Sequence, residues 1–121
     1  MAYAYIPPLQ NRFVTVMIAD ISTAGQIYFV PGFDGKIVKI RTALNGAITG
    51  ADSVLATKIA GTAVTGGGIT VAYTSSAAGD IDTATPTALN SFTSAQAIEL
   101  ETDGGSTGTV SIVATFELAP A

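Results

Sequence analysis

Glu99 and Glu101 form the best-spaced acid pair in the chain. On a strand, residues two apart share a face at about 6.5–7 Å, close to the carboxylate gap of an inverting glycosidase. A catalytic pair also needs a cleft and one carboxyl with a raised pKa. Alternation in Ala97-Ile98-Glu99-Leu100-Glu101-Thr102 instead points both acids at solvent. Asp80-Ile81-Asp82, after Gly79, opens like a calcium loop but has no bidentate Glu at the closing offset, which favours a solvated or turn-capping pair. Ser53 and Lys58 lie too far apart on a strand to act as a local dyad. Gly66-Gly67-Gly68 is not followed by Lys-Ser or Lys-Thr, so it is no phosphate loop. The chain has no His and no Cys, which excludes thiol nucleophiles, His-based triads, Cys/His zinc sites and disulfide scaffolds. The expectation is a protein that is not an enzyme, with no cofactor and no metal.

Charge is sparse and uneven. Charged residues make up 12% of the 121 residues, about half the usual share, and the net charge is −4. Four of the five bases fall in one stretch, as Lys36, Lys39, Arg41 and Lys58, while the acids crowd into the C-terminal half. Nucleic-acid binding would want a basic protein with interleaved aromatics, so no nucleic-acid partner is expected. Pairing of Lys39 and Arg41 with Glu99 and Glu101, across strands or across a subunit boundary, is the better reading. Between subunits such pairs would fix register more than add affinity. A small monomer needs a charged skin, commonly about 25–35% of its surface. Nine acids and five bases fall short of that, which points to a homo-oligomer.

The residues that must position these groups are strand formers. The chain holds 17 Thr, 12 Ile and 9 Val, side chains that are stiff at χ1 and fit a pleated surface. Strands are expected over residues 12–19, 26–30, 36–44, 53–60, 62–64, 69–73, 97–102 and 110–118. Ile37 breaks the polar face of the third run and Val113 that of the last. Asn45-Gly46 and Asp103-Gly104-Gly105-Ser106 read as turns. The stretch from Thr74 to Gln96 alternates poorly and offers one helical turn, capped by Thr85 with Pro86 in first position. Ala47-Ile48-Thr49-Gly50 is echoed by Ala63-Val64-Thr65-Gly66, as two similar loops, or the Thr/Gly/Ala-rich composition alone, would produce.

Seven or eight short strands with frequent turns describe an all-β, two-sheet β-sandwich, jelly-roll-like in strand count. An immunoglobulin-like sandwich comes second, without its Cys and Trp landmarks. The sandwich would occupy residues 12–121 as a single domain, preceded by an extended N-terminal arm over 1–11. Pro7 and Pro8 hold that arm extended and deny a ladder N–H. Its Tyr3, Tyr5, Ile6 and Leu9, flanking the two prolines, either lie on a neighbouring subunit or form an ordinary extension, folded onto their own core or frayed. The longest uncharged stretch, Ile59 to Gly79, holds five Gly and many Thr and Ser, so no membrane span is expected. The apolar run Phe13 to Ala19 is short and lacks a basic lead-in, so no secretory signal is expected.

Several segments resemble small β-rich decoration (cement or auxiliary) proteins of tailed-bacteriophage capsids. They are Gly35-Lys36-Ile37-Val38-Lys39-Ile40-Arg41, Leu44 to Asp52, Ala78-Gly79-Asp80, Pro86-Thr87-Ala88-Leu89-Asn90 and Glu99 to Gly105. The resemblance spans Gly35 to Leu118 and consists of strand and turn patterns; the first 34 residues lie outside it. It implies a structural virion protein, made in the host cytoplasm and seated on the outer capsid surface. There it would bridge subunits of the major capsid protein, typically as a homotrimer. A receptor- or carbohydrate-binding module of a phage fibre or tail is the alternative, with Tyr28, Phe33, Tyr73 and Phe92 as its available aromatics.

Overall fold

The structure, a computed structural model, describes residues 10–121; the expected contact arm Tyr3, Tyr5, Ile6, Pro7, Pro8 and Leu9 lies outside them. Ten strands follow in order: β1 (Arg12–Ile18), β2 (Gly25–Phe29), β3 (Gly35–Leu44), β4 (Ser53–Ile59), β5 (Thr62–Ala63), β6 (Ile69–Val71), β7 (Ile81–Ala84), β8 (Ser91–Phe92), β9 (Ile98–Thr102) and β10 (Ile112–Pro120). They form two antiparallel sheets. Sheet A runs β1-β10-β3-β7, with β8 also on β3. Sheet B runs β2-β9-β4-β5, with β6 also on β4. The expected all-β, two-sheet sandwich is what these strands build.

The core is the inner face of both sheets. Ile37, Ile40 and Leu44 of β3 and Ile112, Ala114, Phe116 and Leu118 of β10 meet Leu55 of β4 and Ile98 and Leu100 of β9. Phe116 packs across the gap against Phe29 of β2, ring centres 5.1 Å apart. Removing that buried ring would cost about 3–5 kcal/mol. A polar knot ties the loops at one end. The Ser53 hydroxyl donates to the carbonyl of Ile21 at 3.0 Å and bonds the Ser106 hydroxyl at 2.6 Å. Thr102 donates to the same Ile21 carbonyl at 3.0 Å. These groups are buried, so the bonds replace water they have lost.

Two breaks in alternation have different causes. β3 and β10 are in register from Leu44 opposite Ile112 to Lys39 opposite Glu117, and then Leu118 faces Ile37. Val38 is the extra residue of a β-bulge, which turns Ile37 back into the core. Val113 has no such rescue and stays on the outer face, between Met17 and Ala43.

The stretch from Thr74 to Gln96 contains β7 and β8 rather than a helical turn. The groups a helix would use are engaged elsewhere: the Thr87 N–H donates to the Thr65 carbonyl at 2.9 Å, and the Ala88 carbonyl accepts from Thr65 N–H at 3.0 Å. Asn45 and Gly46 lead out of β3 without left-handed dihedrals, and Asn45 is held by Ser111 through backbone and side chain. Gly104 does take φ +70°, with its α-carbon so close to Ala24 that a side chain would collide. The two echoed tetrapeptides share a conformation. Ile48 and Val64 are buried, Thr49 and Thr65 each form an isolated bridge, and Gly50 and Gly66 take φ +80° and +77°.

Candidate interaction surface

The outer face of sheet A is organised in cross-strand rows, because residues directly opposite on adjacent strands point the same way. One row is Met17, Val113, Ala43 and Ile81, drawn from β1, β10, β3 and β7. It is apolar throughout and spans about 14 Å at the usual strand spacing. Met17 is 53% and Ile81 72% exposed. The next row is Thr15, Thr115, Arg41 and Thr83, with the first two hydroxyls 3.0 Å apart. The third is Phe13, Glu117 and Lys39, where Phe13 is 60% exposed. Apolar, hydroxyl and charged side chains therefore follow one another along the strands.

Arg41 reaches from the middle row to Glu117 at 2.9 Å. The Asn11 amide donates to the other oxygen of the same carboxylate at 2.7 Å. These two hydrogen bonds, Asn11 first, hold the Glu117 carboxyl below its usual range. On the other sheet, Lys58 pairs with Glu101 at 3.4 Å.

Pairing of Lys39 and Arg41 with Glu99 and Glu101 across strands of one chain is therefore corrected. β3 belongs to sheet A and β9 to sheet B, and the two outer faces point away from each other. Glu99 also departs from expectation: it is only 9% exposed. Its neighbours in register are Tyr28 on β2 and Lys58 on β4, so a central strand position covers it from both sides.

Asp82 points inward on β7, opposite the buried Thr42. Burial, then the nearby Asp80 charge, pushes its carboxyl above the usual value. Among the described residues no three His, Cys, Asp or Glu gather into a group able to hold a metal, and no helix is long and apolar enough to cross a membrane. Of the four aromatics, Phe92 is buried. Phe33 packs edge-on against it at 5.6 Å and lies beneath the Arg12 guanidinium. Tyr28 and Tyr73 are exposed. Leu89 is also displayed, in a left-handed conformation with φ +53°, between an Ala88 bridge to Thr65 and an Asn90 clasp on Ile37.

Reading the sequence did not single out Phe13, Met17 or Ile81 as surface residues. Val113 carried the one visible signal, an apolar residue at an outward position of a well-alternating strand. A comparison with known protein families finds none that matches the chain, and a comparison with curated proteins finds no match.

Proposed function

We propose that the chain is a structural virion protein that decorates a bacteriophage capsid and braces neighbouring subunits of the major capsid protein. The observation that carries this reading is the outward-facing apolar row Met17, Val113, Ala43 and Ile81, exposed at both ends and half-buried between them, crossing sheet A from β1 to β7. A continuous exposed apolar patch on a small protein marks a surface meant to be covered. The hydroxyl row beside it offers donors and acceptors to a partner's backbone, and Arg41 and Lys39 supply the rim charge usual around an apolar centre. The resemblance of Gly35 to Leu118 to capsid decoration proteins supplies the partner, the outer capsid location and the homotrimer. The arm residues Tyr3, Tyr5, Ile6, Pro7, Pro8 and Leu9 are a second contact in this reading. Lys39 and Arg41 of one subunit facing Glu101 of another are its charge pairs, with Glu99 covered by its own strand neighbours.

Co-sedimentation with capsid shells assembled without this chain tests the reading. Stoichiometric binding, weakened when residues 2–10 are deleted, is expected. Specific glycan binding with no affinity for shells would overturn it in favour of a fibre or tail module.

A further inference from the structure

Edge strands are where a sheet exposes unpaired backbone N–H and C=O groups, and folded proteins blunt them with short length, Pro, Lys or bulges. Most edges of this sandwich are blunted. β5, β6 and β8 are two or three residues long, β7 has four, and Pro31 follows closely after β2. β1 is different. It has seven residues, no Pro, no Lys and no bulge, and among the described residues it pairs only with β10.

The five central residues of its sequence, Phe13-Val14-Thr15-Val16-Met17, are nearly symmetric about Thr15 in the direction and character of their side chains. We propose that β1 pairs antiparallel with β1 of a second copy about a two-fold axis at Thr15, joining two A sheets into one. In that register Thr15 meets Thr15, Val14 meets Val16, and Phe13 meets Met17, so the five central residues each oppose one that suits them on the same face, while Arg12 falls opposite Ile18 at the strand ends. The Phe13 and Met17 contacts place a thioether against an aromatic ring, a favourable pairing. They also cover two of the large apolar side chains left exposed in the single chain.

Charge fits the same arrangement. Arg12 stands at one end of β1, and Asp20 lies just past the other. A two-fold brings each Arg12 toward the Asp20 of the other copy. Asp20 borders a groove of about 440 Å³ between the β1 and β2 edges, lined also by Met17, Ile18, Gln26 and Ile27. The Arg12 end of the second strand would enter at its mouth. The contact is isologous and closes on itself. It joins copies in pairs, whether these are single chains or larger assemblies, and does not depend on capsid binding.

The absence of native cysteine makes the axis directly testable on the free protein. Facing residues on antiparallel strands have α-carbons about 4.5–5.5 Å apart, within the range a disulfide spans. Thr15→Cys is expected to give a covalent dimer under a mild oxidant. Thr83→Cys, on the same face but at the far edge, is expected to stay single. Thr15→Lys sets two like charges on the axis and is expected to halve the light-scattering mass while leaving circular dichroism unchanged. No covalent dimer at Thr15, equal cross-linking at Thr83, or an unchanged mass for folded Thr15→Lys would each overturn the proposal.

Discussion

Met17 on β1 lies directly across from Val113 on β10, both pointing away from the core. Neither is needed there for folding, since the inner face is filled by Ile18, Ile112 and Ala114. The pair begins an apolar row that ends at Ile81, the most exposed large hydrophobic among the described residues. Its position at the far end of the row makes Ile81 a clean probe of the surface.

Ile81→Lys puts a charge into the apolar row and should lower shell affinity about tenfold, the scale of one interface residue worth a little over about 1 kcal/mol. Stability should stay within about 0.5 kcal/mol, as for other surface changes. Binding isotherms and thermal melts of the variant check both parts.

The polar knot should matter to the fold and not to binding. Ser53→Ala strips the buried Ser106 hydroxyl and N–H of the oxygen they bond, while the Ile21 carbonyl keeps its bond from Thr102. The cost of stranding such buried groups is about 1–3 kcal/mol, readable as a lower urea midpoint with unchanged slope.

Thr42 presents the opposite case. Its hydroxyl is buried on the inner face of β3 and has no hydrogen-bond partner among the described residues. Thr42→Val keeps the shape and removes the orphaned group, so it should stabilise by about 1 kcal/mol. A rise in Tm checks it; a fall would mean that the hydroxyl has a partner.

Two carboxylates should give opposite pH signatures. Glu117 has its pKa lowered by Asn11 and Arg41. Its contribution to stability is thus present above the ordinary carboxylate value and lost as pH falls through the depressed one. Glu117→Gln should flatten that part of the acid limb. Asp82 has its pKa raised by burial and by Asp80, so its charge opposes folding above the raised value. Asp82→Asn should raise Tm at neutral pH, with the gap closing as acid protonates the native carboxyl. Melting curves across the acid range resolve the two.

Most strands were legible because Ile, Val and Leu alternate cleanly with Thr and charged residues, as in Val110 to Leu118. The bulge at Val38 was visible only as a misplaced Ile37, because an extra residue shifts every later side chain to the other face. β7 was not legible at all. It reverses the usual pattern, with Ile81 outside and Asp82 inside, so an alternation test finds no strand there. The candidate surface was hidden for a related reason. Met17, Val113, Ala43 and Ile81 come from four distant segments, and only strand order brings them into one row. The ion pairs likewise depended on which sheet holds each strand, so Arg41 met Glu117 rather than Glu99 or Glu101.

Hydroxyl-radical labelling of the protein, free and bound to capsid shells, reads the covered face residue by residue. Ile81 and Val113 are expected to be protected on the shell, while Tyr28 and Val30, around the edge of sheet B, keep their labelling. Unchanged labelling at Ile81 and Val113, or protection confined to Tyr28 and Val30, would contradict the role assigned to sheet A.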